Sequence, residues 1–280
     1  MSKTPAAIRI DVDSARDITL LPELLDLLHA IDVKATLFIT TGPDRLALNV
    51  FKNLVHARNV LRFIKSKPLR YGLDSFNGIF RKVPVEATRP EVLRRAINEG
   101  HELGLHGYDH FAWVTTLPRR GEAEVQELIT KGLKALQATA QADLRSFASP
   151  GFTVTSALIQ AIDILGFEYS SDIKAHQPMD PFYPQTGAKK SSVLQVPVST
   201  DSIGELFAMG FSEDEVRARI NQHIDAWHEE GLPFVLYGHP AHEIGCYKSL
   251  FSSVVKDLRK DTRYECLKLA EIAEQWKGRV

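Results

Sequence analysis

Two aspartates stand close enough in the sequence to share one site. Asp11 and Asp13 flank a valine in the segment IDVDS, and side chains two residues apart in a strand point to the same side. Because two neighbouring carboxylates repel each other, burying both is costly unless a cation lies between or beside them. The pair predicts a cation site, although Asp is also common at helix N-caps and in surface turns.

The second cluster is the segment HGYDH. His106 and His110 are four residues apart, so they can converge on one metal ion if the chain between them turns helically, and Gly107 would ease the turn out of a strand. The pattern also resembles the inverted zinc-protease helix motif. Asp109, however, stands where that motif requires a Glu, and the segment begins at a strand end. A histidine in either place could also be only a satisfied core or surface group.

A third histidine, His239, follows the apolar segment FVLY and could act as a general acid. The segments SPGF and SSD end two further strand candidates. Asp172, the last residue of SSD, could orient a histidine, as carboxylates often do. A loop histidine without a catalytic role is the alternative for His239.

The elements that must position these groups follow from the hydrophobic pattern. Short apolar runs alternate with helical patterns, and this order predicts an α/β fold with parallel strands and helical crossovers. We predict strands at 6–12, 34–39, 102–105, 147–149, 167–170, 193–196 and 234–237, and helices at 20–31, 90–98, 122–139, 155–165, 212–230, 249–258 and 267–276. DVD, HGYDH, SPGF, SSD and GHP all fall at the carboxyl ends of predicted strands, so one barrel rim would bring them into a single pocket.

The composition is that of a globular chain. The 280 residues are 44% hydrophobic and carry a net charge of −1, which allows a substantial core and gives no sign of nucleic-acid binding. Two cysteines against ten histidines favour a reducing compartment and imidazole and carboxylate metal ligands. We find no signal-peptide core and no apolar run near the roughly 20 residues that span a bilayer. We therefore expect a soluble chain, attached at most to a membrane surface.

Segment 49–82 breaks the alternation of strands and helices. It contains eight Lys or Arg and one Asp, so its net charge is +7 and the rest of the chain carries −8. A helix over about 50–64 would be apolar on one face and basic on the other, which suits a membrane surface or an anionic ligand. The alternative is a solvated helix whose apolar face packs on the barrel. We interpret this segment as an insertion in a single domain spanning 1–280.

The order IDVDS, HGYDH, SPGF and LYGH resembles the NodB-like polysaccharide deacetylase family. The resemblance implies a distorted (β/α) barrel with fewer than eight regular strands. It implies that Asp11 is the catalytic base, that Asp13, His106 and His110 bind one divalent metal ion, and that His239 is the general acid. Zinc is the expected ion, with Mn²⁺, Co²⁺ or Ni²⁺ as alternatives.

Longer stretches, among them HELGLHGYDHFAW and YSSD, are similar to a bacterial branch of this family that deformylates a lipid-linked amino sugar. That similarity implies 4-deoxy-4-formamido-L-arabinose on undecaprenyl phosphate as substrate, and formate and the 4-amino sugar as products. It places the protein in lipid A modification and polymyxin resistance, at the inner face of the bacterial inner membrane. In the mechanism that we expect, Asp172 orients His239 and a backbone N–H near Gly151 stabilises the oxyanion. Phe152 and Tyr108 are further candidates for oxyanion or substrate contact.

One position departs from the family pattern. The family commonly has an Arg in its third motif that braces the catalytic Asp, and that position here is Ala148. We expect Arg9 to point away from Asp11, which leaves the brace unassigned.

Three alternatives to this function remain open. The chain could be an N-deacetylase of another amino sugar or polysaccharide, although we expect no export signal. It could hydrolyse a small cyclic amide without metal, or be a non-catalytic module that binds a sugar-lipid. The complete set of base, metal and acid positions disfavours the last two.

Overall fold

The structure is a computed structural model and describes residues 3–45 and 83–279. The predicted basic insertion at 49–82 lies outside the described residues. No helix in the described ranges is long and apolar enough to cross a membrane.

Strands and helices alternate through most of the described chain. The strands are β1 (Thr4–Val12), β2 (Thr36–Thr41), β3 (Glu102–Tyr108), β4 (Ser146–Phe147), β5 (Tyr169–Ser170), β6 (Gln185–Thr186), β7 (Lys189–Lys190), β8 (Leu194–Gln195), β9 (Phe234–Gly238) and β10 (Tyr264–Leu267). The helices are α1 (Ala15–Ile31), α2 (Pro90–Asn98), α3 (His110–Thr116), α4 (Glu122–Ala140), α5 (Ser156–Ile164), α6 (Ile203–Ala208), α7 (Glu213–Glu229), α8 (Pro240–Glu243), α9 (Lys248–Lys260) and α10 (Leu269–Trp276).

One parallel sheet organises the fold. Its strands follow the order β10-β1-β2-β3-β4-β5-β8, and β9 pairs with β1 on the side opposite β2. The chain beyond β8 returns to β9, where the Ser199 N–H donates to the Val235 carbonyl at 3.0 Å. The short β6 and β7 form a separate antiparallel hairpin. The predicted α/β architecture, a distorted barrel of parallel strands with helices, is therefore confirmed.

Side-chain alternation along β1 divides the core into two layers. Ile8 and Ile10 belong to the large cluster between the sheet and the surrounding helices. Ala7 points the other way, into a second cluster inside the barrel that contains Ile272 and Trp276 of α10. Because alternation is strict within a strand, the residues of β1 at odd positions face the barrel interior.

A capping box fixes the chain as it leaves β1. The Ser14 hydroxyl accepts a hydrogen bond from the Asp17 N–H, and the Asp17 carboxylate accepts one from the Ser14 N–H at 3.0 Å. This cap starts α1 at Ala15, five residues before the predicted start, because a side-chain cap satisfies N–H groups that the helix leaves unpaired. The turn that carries Asp13 is thereby held at the barrel rim.

The sequence pattern does not predict α3 or β10. The segment FAWVTT of α3 has weak helix propensity, and the helix depends on its cap, where the Asp109 carboxylate accepts from the Ala112 N–H at 3.1 Å. At the other end of the chain, β10 pairs with β1, and the helix predicted at 267–276 begins at Leu269. Both elements are set by contacts with the rest of the fold.

Stability should fall in mild acid through His101, which precedes β3. Its Nδ1 accepts a hydrogen bond from the Ala35 N–H at 3.0 Å, so the buried ring is neutral. Burial lowers the pKa of His101 to about 4. The folded pKa therefore lies below the unfolded value, and the stabilisation is complete above pH about 6.5 and is lost as pH falls toward 4.

The effect of His101 can be isolated with His101→Asn, which keeps an acceptor for Ala35 but does not titrate. The free energy of unfolding is measured in urea at pH 7.5 and at pH 4. Between these pH values, it should fall by at most about 3 kcal/mol more in the wild type than in this variant. Equal losses in the two proteins would contradict the assignment.

Candidate active site

The predicted metal ligands come together at the barrel rim. His106 Nε2 lies 3.2 Å from Asp13 Oδ1, and His110 Nε2 lies 3.4 Å from Asp13 Oδ2. One ligand atom from each residue lies within 4.8 Å of the others. Among the described residues these are the only three acidic, His or Cys side chains grouped in this way.

The chemistry of these donors fits a divalent cation. His106 Nδ1 lies 2.8 Å from the Ala148 carbonyl, which can only accept, so Nδ1 carries the proton and Nε2 presents a lone pair. A lone pair facing the Asp13 carboxylate is repulsive unless a cation lies between them. Asp13 Oδ1 is also buried and accepts no hydrogen bond in the part of the chain that the structure describes. The set therefore fits a zinc-type site with imidazole and carboxylate ligands.

The four-residue spacing of the histidines spans a strand-to-helix turn. Gly107 adopts φ +69°, and Asp109 adopts φ +54° and caps α3, so His106 lies near the carboxyl end of β3 while His110 starts the helix. A Cβ at position 107 would lie 3.0 Å from the Pro150 ring, which adds a packing reason for glycine. The inverted zinc-protease interpretation is thereby excluded, because that motif needs both histidines within one helix.

Arg9 braces Asp11, so the expectation that it points away is wrong. Arg9 Nε donates to Asp11 Oδ1 at 2.8 Å, and Arg9 Nη2 donates to Asp11 Oδ2 at 2.6 Å. Residues two apart in β1 face the same side, and applying this rule to positions 9 and 11 would have found the contact. Burial alone would raise the pKa of Asp11, but the charge and the hydrogen bonds of Arg9 lower it below the usual value.

The Arg9 guanidinium is enclosed by the barrel interior. Its side chain is fully buried, and Nη1 donates to the Ser171 backbone carbonyl and to its hydroxyl. The guanidinium carbon lies 5.1 Å from the Phe38 ring centre, 5.0 Å from that of Phe152 and 5.7 Å from that of Tyr237. Three aromatic faces and a carboxylate thus compensate its lost hydration.

His239 completes the group around Asp13. Its Nε2 lies 3.5 Å from Asp13 Oδ2. Burial lowers the pKa of His239, but the carboxylates of Asp13, Asp11 and Glu243 outweigh that effect and raise it above the usual value. A histidine that holds its proton beside a metal site is suited to act as a general acid.

Asp172 lies elsewhere than expected. Its carboxylate accepts hydrogen bonds from the Ser149 N–H at 2.6 Å and from the Gln195 amide at 2.8 Å. His239 Nδ1 is buried without a hydrogen-bond partner in the described ranges, so Asp172 does not orient His239 by a hydrogen bond. Burial raises the pKa of Asp172. Its contacts instead fix the start of the SPGF turn against β8.

The SPGF turn contains two residues with positive φ, Gly151 at +61° and Phe152 at +52°. The Phe152 N–H donates to the Ser149 carbonyl at 3.1 Å, and the Thr153 N–H donates to the Pro150 carbonyl, so both are engaged within the turn. Neither of these bonds uses the Gly151 N–H, which stays the candidate oxyanion donor. The Phe152 ring is one of the three aromatic rings that pack against the Arg9 guanidinium.

Tyr108 lies on the outer side of the sheet, away from the pocket. A Cβ on Gly132 of α4 would lie 3.4 Å from Tyr108 Cβ, and Lys131 of α4 places its ammonium 4.4 Å from the Tyr108 ring centre. The pairing of β3 with β2 shifts register before Tyr108, and a shift of one residue reverses the side that a chain presents. The geometry does not support Tyr108 as an oxyanion or substrate contact.

Comparison with known proteins identifies the family of this chain. A family model described as polysaccharide deacetylase matches residues 3–170. The chain belongs to the polysaccharide deacetylase family. This match confirms the resemblance predicted from the motifs. It also confirms, at the level of the family, the prediction of a hydrolase that acts on carbon–nitrogen bonds.

Two curated relatives share a more specific description. The probable 4-deoxy-4-formamido-L-arabinose-phosphoundecaprenol deformylase ArnD of Shewanella sediminis is 29% identical over 206 residues, which are 72% of this chain and 66% of the relative. The protein of the same description from Wigglesworthia glossinidia brevipalpis is 28% identical over 190 residues, or 66% of this chain and 64% of the relative. The chain therefore spans slightly less than two thirds of the length of these relatives.

Solved structures match nearly the whole fold of this deacetylase family member. A polysaccharide deacetylase candidate from Mycobacterium smegmatis aligns with a TM-score of 0.68 at 17% identity, covering 100% of this chain and 92% of the other. A probable polysaccharide deacetylase from Pseudomonas aeruginosa PAO1 gives a TM-score of 0.64 at 16% identity, covering 97% and 90%. At such identities the likeness shows the fold alone.

Proposed function

We propose that the chain is a metal-dependent deformylase that hydrolyses the formamide of 4-deoxy-4-formamido-L-arabinose on undecaprenyl phosphate. The observation that carries the proposal is the convergence of five groups, Asp11, Asp13, His106, His110 and His239, at one end of the barrel. They comprise a metal-ligand set, a carboxylate base and an imidazole acid. Hydrolysis of an unactivated amide needs all three functions.

Each group has a distinct task in the proposed reaction. Asp13, His106 and His110 would hold a divalent ion, which polarises an amide carbonyl and makes a water molecule more acidic. Asp11, fixed by its arginine, takes a proton from the attacking water. The Gly151 N–H stabilises the oxygen that gains negative charge. His239 donates a proton to the departing amine, so that formate and a free amino sugar leave the site.

The substrate is proposed from the two curated relatives. Both carry the description of a deformylase that acts on this lipid-linked sugar. A deformylase hydrolyses an amide, and the base, the metal ligands and the acid of this site suit that reaction. Another N-deacetylase activity of the same family is the principal alternative and is an outcome of the test below.

The proposed location is the cytoplasmic face of a bacterial inner membrane, where a lipid-linked sugar would be met. The supporting observation is the charge of segment 49–82, with eight Lys or Arg against one Asp. Basic residues near anionic headgroups gain about 1 kcal/mol each. A peripheral contact of this segment with lipid or with the substrate phosphate is part of the proposal.

The decisive experiment offers the purified protein two matched substrates, the 4-formamido and the 4-acetamido sugar on polyprenyl phosphate. Released formate and acetate are measured separately. We expect formate from the first substrate. Acetate alone would show that the protein is a deacetylase and would reject the deformylase proposal.

Metal removal tests the other half of the proposal. Dialysis against a strong chelator should abolish formate release, and Zn²⁺, Mn²⁺, Co²⁺ or Ni²⁺ added back should restore it, because the ligand set suits such ions. His110→Ala should lose affinity for the ion in the same assay. Full activity in protein shown by elemental analysis to be metal-free would refute metal dependence.

A further inference from the structure

Within the described ranges, no side chain hydrogen-bonds to Nδ1 of the His239 imidazole, the atom through which a carboxylate often orients a catalytic histidine. Its Nδ1 is buried without a hydrogen-bond partner in the residues that the structure describes, and its Nε2 faces Asp13. The rings of Tyr237 and His242 flank it, at 5.4 and 5.6 Å between ring centres. The direction of the ring must therefore be set largely by the backbone that carries it.

That backbone belongs to residues 239–243, which we call the acid loop. Glu243 reaches back along it: its Oε2 accepts a hydrogen bond from the His239 N–H at 2.5 Å, and its Oε1 accepts one from the Gly204 N–H at 3.2 Å. Glu243 is 1% exposed. Glu243 thus ties the residue that carries the acid to the start of α6.

A second buried carboxylate holds the acid loop from the other side. Asp17 Oδ1 accepts a hydrogen bond from the Ala241 N–H at 2.8 Å. Its Oδ2 accepts from the Asp13 N–H at 3.2 Å and from the Ser14 N–H and hydroxyl. One carboxylate therefore joins the turn that carries a metal ligand to the loop that carries the acid.

Two glycines pack directly against side chains of the acid loop. A Cβ on Gly238 would lie 2.5 Å from Glu243 Cδ, and a Cβ on Gly204 would lie 2.1 Å from His242 Nδ1. Contacts this short cannot form, so a Cβ at position 238 would displace the Glu243 side chain and one at position 204 would displace the His242 ring. Close packing and two buried carboxylates together specify one conformation.

We propose that Asp17 and Glu243 are positioning residues that act through His239, holding the acid loop so that the imidazole faces the departing nitrogen. The proposal rests on the proposed function, in which His239 is the acid. Neither carboxylate contacts the reacting atoms. Both fix backbone N–H groups, and through them the place of a ring whose Nδ1 has no hydrogen-bond partner among the described residues.

A double-mutant cycle on release of formate from the 4-formamido sugar polyprenyl phosphate tests the proposal. Glu243→Gln keeps the shape of the side chain but turns one acceptor into a donor, and should lower kcat about tenfold to a hundredfold, within the range of general acid catalysis. In the His239→Ala background the same substitution should change kcat by less than about twofold, since residues acting as one unit are not additive. Asp17→Asn should behave in the same way.

Controls separate positioning from folding and from metal loss. Glu215→Gln alters a comparable carboxylate, which accepts the Ser212 N–H at 2.7 Å in the exposed cap of α7, and should leave kcat unchanged. Bound metal and thermal midpoint are measured for every variant. If Glu243→Gln does not fold, Gly238→Ala displaces the same carboxylate without changing any charge and should give the same non-additive loss.

The outcomes distinguish this proposal from the proposed function. Additive losses in the cycle, or full activity of Glu243→Gln and Asp17→Asn, would overturn the positioning role. Wild-type protein without formate release, or full activity of His239→Ala, would instead overturn the proposed function.

Discussion

Asp11→Asn should lower kcat for formate release by about 10³-fold or more, because the amide cannot take a proton from the attacking water. The substitution keeps the size of the side chain and leaves Asp13, His106 and His110 in place. Bound metal, measured by elemental analysis, should therefore remain at the wild-type level. Loss of activity with retained metal separates the base from the ligands.

The control for this experiment is Asp257→Asn on the exposed side of α9, where the carboxylate pairs with Arg217 at 3.4 Å. That variant should keep wild-type kcat, since exposed ion pairs contribute little. If Asp11→Asn retained the wild-type rate, a different group would have to be the base.

Arg9→Met should produce the second large effect. Removing the guanidinium leaves the Asp11 carboxylate buried without its two charge-assisted hydrogen bonds, and breaking a buried ion pair costs about 3–5 kcal/mol. Activity should fall by about 10²-fold or more, because the base loses the contacts that fix its orientation. Arg9→Lys should recover only part of the rate, since an ammonium cannot bind both oxygens in a planar fork.

A rescue variant separates the role of Arg9 from its contribution to folding. Ala148 lies in the same interior cluster as Phe38 and is the residue that the motif resemblance matches to the family's bracing Arg. In Arg9→Met, the further change Ala148→Arg should return a guanidinium to the space beside Asp11 and restore most of kcat/KM. Arg145→Met, in an exposed ion-pair cluster, is the matched control and should be silent. Failure of the rescue in a folded, metal-loaded protein would count against the bracing role.

The protein gives two neighbouring aspartates different surroundings. Asp11 faces an arginine and Asp13 faces histidines, although one valine lies between them. The bidentate arginine keeps Asp11 ionised beside the ligand set, with Oδ2 3.8 Å from His106 Nε2, while Asp13 is left for a cation. Environment rather than residue type assigns the two roles.

The sequence by itself determined the α/β class and the place of the site. The alternating apolar runs depend on local periodicity, which the chain expresses within each element. The segments DVD, HGYDH and GHP stand at strand ends, and parallel strands carry their ends to one rim. The site residues at these three segments could therefore be predicted, and the structure brings Asp11, Asp13, His106, His110 and His239 together.

Only the tertiary structure decided which neighbour each site residue has. Asp172 binds Ser149 and Gln195, each 23 residues away, and Asp17 binds a backbone group 224 residues away. Tyr108 points away from the pocket because β3 shifts register against β2 before this residue. Such contacts depend on packing between segments that are distant in the sequence, so local sequence patterns do not predict them. Arg9 is the instructive exception, because its contact with Asp11 is local and follows from strand alternation alone.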